Sequence, residues 1–161
     1  MNPQLYRIPL AAPGALATMA RPRGGDPDRL AEDVEGLAAY GVNVLVSLLS
    51  PAEEDELGLR EERAAALAAG LEFRRFEIPD YGVPPVAELR EVADALLEQI
   101  RAARSVVIHC RAGIGRSSLV AAGVLVRSGV APADAWRSIE TARGRSVPDT
   151  DEQRAVVAGL R

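Results

Sequence analysis

Cys110 is the only cysteine in the 161-residue chain, and His109, its only histidine, directly precedes it. Glycines stand at 113 and 115, and Arg116 and Ser117 follow. The run before the loop, Ser105–Cys110 (SVVIHC), reads as a strand buried on both faces, and Arg116 to Arg127 reads as an apolar helix. A loop of this length can curl successive N–H groups inward as a nest for an anion. Gly113 and Gly115 permit the positive φ values that such curling uses. The helix N-terminus behind the loop adds partial positive charge, and Arg116 offers two parallel hydrogen bonds to oxygens of one anion. The pattern suits a tetrahedral oxyanion held by Arg111, Ala112, Gly113, Ile114, Gly115 and Arg116. The same field favours a thiolate at Cys110 and aims it at phosphorus. Ser117 is placed to donate a hydrogen bond to that sulfur and ease its later departure.

Plainer readings compete. A lone cysteine at a strand end is commonly a small core side chain, and His109 beside it can be a satisfied core histidine. A glycine-bearing strand–loop–helix can also bind a nucleotide phosphate. This loop, however, has no Gly-Lys-Ser/Thr ending and no third glycine spaced for a dinucleotide. Cysteine attack also expels an alkoxide or phenoxide that needs a proton. A carboxylic acid on a loop able to approach the nest is therefore expected. Asp80, in the turn Pro79-Asp80-Tyr81-Gly82-Val83-Pro84-Pro85, is the candidate, although turn formation alone also explains an aspartate there. Asp94 reads as a solvated helix position, and Asp149 and Asp151 read as helix-start residues.

Quoted as it stands, HCRAGIGRSS (residues 109–118) resembles the signature of the protein tyrosine phosphatase superfamily: His-Cys, five residues, Arg, then Ser or Thr. The resemblance is greatest to the compact dual-specificity branch, especially small bacterial stand-alone members and those related to the kinase-associated phosphatase. It spans about Leu5 to Leu160. Low-molecular-weight phosphatases carry their cysteine near the N-terminus, and rhodanese-like loops lack Gly-x-Gly-Arg-Ser. The resemblance implies Cys110 as nucleophile, Arg116 as phosphate clamp, Ser117 as thiolate partner and Asp80 as general acid. It implies that His109 braces the loop and tunes the cysteine, and is no proton shuttle. Phosphate, sulfate or vanadate is the expected loop ligand, with no metal and no cofactor.

The leading substrate is a phosphotyrosyl protein or peptide, with phosphoserine and phosphothreonine next. Phosphoinositide-specific relatives carry lysines inside the loop, where this chain has Ala112 and Ile114. A phosphoinositide, nucleotide or RNA 5′-phosphate is the alternative substrate for the same chemistry, and a phosphate-binding module without turnover is the alternative class. Thr150-x-x-Gln153 reads as a capping box; a glutamine that positions the hydrolytic water is its other reading. Arg21 and Arg23 border the pocket or simply face solvent.

The elements that must position these groups follow from pattern. Leu5–Leu10 and Ala15–Ala20 are expected as edge strands or a hairpin, and Asp26-Pro27 starts a helix running to about Tyr40. Val42–Leu49 is a second doubly buried strand, and helices begin at Ser50-Pro51 and near Arg60. Phe73–Ile78 is a strand, and a helix from about Val86 to Ala103 keeps Leu89, Val92, Ala93, Leu96, Leu97 and Ile100 on one stripe. Helices near Pro132–Arg143 and Asp151–Leu160 finish the chain. Alternating strands and helices predict an α/β fold in three layers, α/β/α, with a central, mostly parallel sheet of about five strands and SVVIHC in its middle. Residues 1–161 are expected to form one domain.

Composition excludes several classes. A net charge of −4 gives no basic field for nucleic acid or an anionic membrane, and all 19 basic residues are arginine. One cysteine excludes an internal disulfide framework and a multi-cysteine zinc site. The apolar run Leu10 to Ala20 is interrupted by Pro13 and Gly14, unlike a signal peptide, and Leu119 to Val126 is too short to span a bilayer, so a cytoplasmic location is expected.

Overall fold

The computed structural model describes residues 4–161. Along the chain lie β1 (Tyr6–Ile8), β2 (Ala15–Met19), α1 (Pro27–Ala39), β3 (Val44–Ser47), α2 (Pro51–Leu57), α3 (Glu62–Ala68), β4 (Glu72–Arg75), α4 (Val86–Arg101), β5 (Ser105–His109), α5 (Arg116–Arg127), α6 (Pro132–Arg143) and α7 (Asp151–Ala158). The strands pair in the order β1-β2-β5-β3-β4, and β1 alone is antiparallel to its neighbour. The expected open α/β sheet is thus present, with β5 in the middle, flanked by β2 and β3. Among the described residues, no helix is long and apolar enough to cross a membrane.

Strand alternation divides the core between the two faces. Val106, Ile108 and Cys110 pack into the core shared with α4, α5, α6 and α7, whereas Val107 faces the core under α1 and α3. β3 repeats the pattern: Val44 and Val46 go one way and Leu45 the other. The middles of both strands, Val44–Val46 and Val106–Ile108, are therefore apolar on both faces, which is why neither alternates in sequence. α5 is buried from Arg116 to Val126 because α4, α6 and α7 surround its free sides. Each Leu or Val buried there contributes about 1.5–3 kcal/mol over an exposed one.

The hairpin expected of Leu5–Leu10 and Ala15–Ala20 is present: β2 pairs antiparallel with β1 on one side and parallel with β5 on the other, and Leu16 to Met19 are buried. β1 takes the edge. The strand expected at Phe73–Ile78 is regular only over Glu72–Arg75, yet Phe76 N–H still donates to Ser47 O (3.0 Å) and Ile78 N–H to Leu48 O (3.2 Å). That extension carries the chain along β3 and delivers Pro79 and Asp80 to the C-terminal end of the sheet, beside the end of β5. Ligands of open α/β sheets bind at that end.

Candidate active site

Residues 110–115 link the central strand to the buried helix α5. Gly113 adopts φ +73, and a Cβ there would meet Met19 C and O at 2.8 Å and Ala20 N at 2.9 Å. It is glycine for both conformation and space. Gly115 differs from the expectation: its φ is −87, so it needs no left-handed freedom. A Cβ there would lie 2.1 Å from Asp149 Oδ2, the end of a side chain that would have to move aside. Among the described residues, no backbone N–H of residues 111–117 donates to a protein acceptor. Buried amides are ordinarily paired. Such a run of free donors at a helix start is an anion-binding arrangement.

Cys110 is 3% exposed at the base of a cavity of about 100 Å³, whose walls include Asp80, Tyr81, Arg111, Ala112, Ile114, Gly115, Arg116 and Asp149. Its Sγ lies 3.4 Å from Ser117 Oγ. Larger hollows between β1 and α6 and beside Gly58 lie away from this chemistry.

Arg116 is buried, and both terminal nitrogens serve neighbours. Nη1 donates to Glu53 Oε1 (2.8 Å) and Ile78 O (3.0 Å), and Nη2 donates to Glu53 Oε2 (3.0 Å). Nη2 also lies 3.2 Å from Asp80 Oδ1. The Nη1/Nη2 fork therefore grips Glu53, and an anion is left the edge formed by Nε and the outer face of Nη2. Burial works to lower the Arg116 pKa, but the Glu53 hydrogen bonds and the Cys110, Glu53 and Asp80 charges raise it above its ordinary value. Glu53 is held low: burial opposes this, and the Arg116 hydrogen bonds and the Ser50 N–H outweigh it. Ser50 and Glu53 form the capping box of α2, with Ser50 Oγ accepting from Glu53 N–H at 3.2 Å. One carboxylate thus caps a helix and aims the clamp. The sequence shows the cap but not the second task.

His109 is fully buried. Its Nε2 lies 2.5 Å from Glu62 Oε2 and its Nδ1 3.1 Å from Cys110 O. With Glu62 ionised, both partners are acceptors, an arrangement that favours the protonated ring. Burial alone would depress its pKa; Glu62 and the Cys110 carbonyl raise it above the usual histidine range. The ring sits behind the loop with both nitrogens engaged, an arrangement suited to bracing and not to shuttling a proton. Glu62, from the start of α3, is the partner that no sequence signal announces.

Asp80 is 38% exposed at its side chain and follows β4 on the expected turn. Its Oδ1 also accepts from Tyr81 N–H at 3.1 Å. Tyr81 takes φ +58, a left-handed conformation rare for a bulky residue, and the residue is 64% exposed and lines the cavity. Asp149 is no helix-start residue: Thr150 caps α7, and Asp149 stands against Gly115 as a second carboxylate at the cavity. Gln153 is half of the expected capping box. Its N–H donates to Thr150 Oγ1 (3.1 Å), but its side chain accepts from Asp149 N–H (3.1 Å) and donates to Gly82 O (3.2 Å), tying α7 to the Asp80 loop. Asp151 lies in the first turn of α7, and Asp94 pairs with Arg127 at 2.7 Å, so its solvated reading is incomplete. Arg23 is bound to Asp33 (2.9 Å), and Arg21 meets the loop only through its N–H on Arg111 O (3.3 Å); neither lines the cavity. Arg111 lines it, with its guanidinium on Glu56 at 3.0 Å.

The chain is 27% identical over 123 residues to Cyclin-dependent kinase inhibitor 3 of Mus musculus, covering 76% of this chain and 58% of that protein. It thus spans little more than half the length of that relative. Its fold matches a kinase-associated phosphatase whose catalytic-site cysteine was replaced by serine, with TM-score 0.88, 22% identity and coverage of 100% of this chain and 95% of the other. Tk-PTP in its active form matches with TM-score 0.74, 28% identity and 91% of each chain covered. Residues 17–130, well over half of the chain, match the family described as Tc-R-P, polymorphic toxin system, DSP-PTPase phosphatase. On that match, and on the loop that carries Cys110 and Arg116, this chain belongs to the DSP-PTPase family of phosphatases.

Proposed function

We propose that this chain hydrolyses phosphomonoesters through a cysteinyl-phosphate intermediate, with phosphotyrosyl protein or peptide as the leading substrate. One observation carries the reading: Cys110 Sγ, a run of unpaired N–H donors, Arg116 and Asp80 all face one small cavity. Cys110 Sγ attacks phosphorus while the loop N–H groups and Arg116 hold the equatorial oxygens. The bond to the leaving oxygen breaks, and that oxygen takes the proton of Asp80. Water then attacks phosphorus, Asp80 receives its proton, and sulfur leaves with a hydrogen bond from Ser117. The donors already point where charge develops, so they cost no reorganisation. They and Arg116 supply the electrostatic partner of the phosphate, and the reading includes no metal.

Tyr81 supports an aryl phosphate. An exposed tyrosine at the cavity wall favours a substrate whose leaving group is itself an aromatic ring. Membership of the DSP-PTPase family supports phosphoserine and phosphothreonine as further substrates. A working thiolate needs a reducing compartment, so the reading includes a cytoplasmic location. The test compares kcat/KM for a phosphotyrosyl peptide, a phosphothreonyl peptide, a phosphoinositide and a 5′-phosphorylated RNA in excess EDTA. The phosphotyrosyl peptide ranks first and EDTA changes nothing. A phosphoinositide or RNA ranking first would reassign the substrate, and a strict need for added divalent ion would overturn the mechanism.

Asp80→Asn keeps the shape and removes the proton. It slows turnover of a phosphotyrosyl peptide by about 10²- to 10⁴-fold. An aryl phosphate whose leaving group is already a weak base loses far less, because it departs without a proton. Equal losses on both substrates would give Asp80 a positioning role and send the search for the acid to Asp149.

A further inference from the structure

Arg143 ends α6, 30 residues from the loop in sequence, yet it reaches the loop from outside the cavity. Its Nε donates to Gly113 O (3.1 Å) and its Nη2 to Ala112 O (3.4 Å). The guanidinium carbon lies over the Tyr6 ring on β1, 4.2 Å from its centre, a cation–π distance. Among the described residues, Arg143 forms no ion pair with a carboxylate, unlike Arg23, Arg111 and Arg116. Its donors go to two consecutive carbonyls of the phosphate loop.

That choice has a geometric consequence. A trans peptide unit is planar, with its C=O and N–H pointing in opposite directions. The Ala112 carbonyl shares its unit with the Gly113 N–H, and the Gly113 carbonyl with the Ile114 N–H. Both of these N–H groups lack a protein acceptor. Gly113, at φ +73, is also the residue at which the loop most easily turns a peptide unit over. A reversed unit would aim a carbonyl at the anion and remove a donor. Met19 and Ala20 wall off the other side of Gly113, where even a methyl group would not fit.

We propose that Arg143, seated on Tyr6, is a positioning residue that fixes the Gly113 and Ile114 N–H groups toward the bound oxyanion. The proposal rests on the reading of residues 110–116 as a phosphate-binding loop. It adds a requirement that the signature does not contain: a strut from the edge strand and the sixth helix.

The experiment measures inorganic phosphate as a competitive inhibitor of aryl phosphate hydrolysis, alongside kcat, KM and thermal midpoint. Arg143→Ala weakens phosphate inhibition about tenfold, the worth of two hydrogen-bonded donors brought out of register. It lowers kcat/KM at least as much and leaves the midpoint within a few degrees. Arg143→Lys keeps the charge and loses the two-pronged geometry, so it recovers only part of the affinity. Arg137→Ala, an exposed ion-paired position on the same helix, behaves as the parent. In ¹⁵N-labelled Cys110→Ser protein, phosphate shifts the Gly113 and Ile114 amide resonances strongly, and adding Arg143→Ala abolishes those two shifts. If Arg143→Ala does not fold, the Arg143→Lys result decides. Folded variants that bind phosphate within twofold of the parent overturn the strut. A parent protein that binds no phosphate overturns the loop reading instead.

Discussion

Cys110→Ser lowers turnover of an aryl phosphate by at least about 10⁴-fold, since the whole covalent route depends on one nucleophile, while the protein stays folded and still binds phosphate. The substitution exchanges sulfur for a smaller oxygen at a site 3% exposed, beside a hydroxyl that pairs with either atom. The binding apparatus does not depend on it. The N–H donors belong to the backbone of residues 111–117, and Arg116 is anchored by Glu53 and Ile78 O. A serine hydroxyl holds its proton near neutral pH, and the adjacent His109, with both nitrogens committed, does not take it. Activity and binding should therefore separate in one variant. Titration calorimetry with inorganic phosphate, beside a turnover assay on the same preparation, reads both. More than about one per cent residual turnover in the purified variant would mean that the nucleophile lies elsewhere.

The residues legible in the sequence are those whose relations are local. Cys110, Gly113, Arg116 and Ser117 lie within one strand–loop–helix, so their spacing alone fixes a nest, and the doubly apolar β5 fixes its central place. Asp80 was legible because a Pro- and Gly-rich turn after a strand marks a loop at a sheet end. Other groups converge only through topology. Glu53 reaches Arg116 across 63 positions, Glu62 reaches His109 across 47, and Arg143 reaches Gly113 across 30. Each sits on an amphipathic helix where a charged residue reads as solvated, and only the sheet order β1-β2-β5-β3-β4 turns it inward. Periodicity could not supply that order, and it left open whether Ala15–Met19 is an edge strand or half of a hairpin. Gly115 is expected to use a positive φ and does not; the side chain that crowds it, Asp149, comes from the far end of the chain.

Arg116→Lys is the second large effect, and it tests whether the clamp is a charge or a shape. In the parent, one planar group makes two sets of contacts at once. Nη1 and Nη2 hold the Glu53 carboxylate at 2.8 and 3.0 Å, and the remaining edge faces the cavity, where Asp80 approaches Nη2 at 3.2 Å. A lysine ammonium is shorter of reach and cannot bridge both partners in a plane. It either stays with Glu53, leaving the phosphoryl oxygens without a side-chain donor, or reaches for the phosphate and leaves a largely buried carboxylate unpaired. Two hydrogen bonds between charged groups, at about 1.5–3 kcal/mol each, are lost from the transition state. At about 1.4 kcal/mol per decade this lowers kcat/KM by roughly 10²- to 10⁴-fold. The rival view treats Arg116 and Glu53 as a structural ion pair whose position beside Cys110 is incidental. On that view Arg116→Lys and Glu53→Gln lower the thermal midpoint alike, and the folded protein that survives turns over normally. On the clamp view Glu53→Gln loosens the guanidinium without removing it, so its loss of kcat/KM is clearly smaller than that of Arg116→Lys. Steady-state kinetics with melting curves on the three proteins separate the two, and an Arg116→Lys enzyme that keeps more than a tenth of parental kcat/KM would retire the clamp.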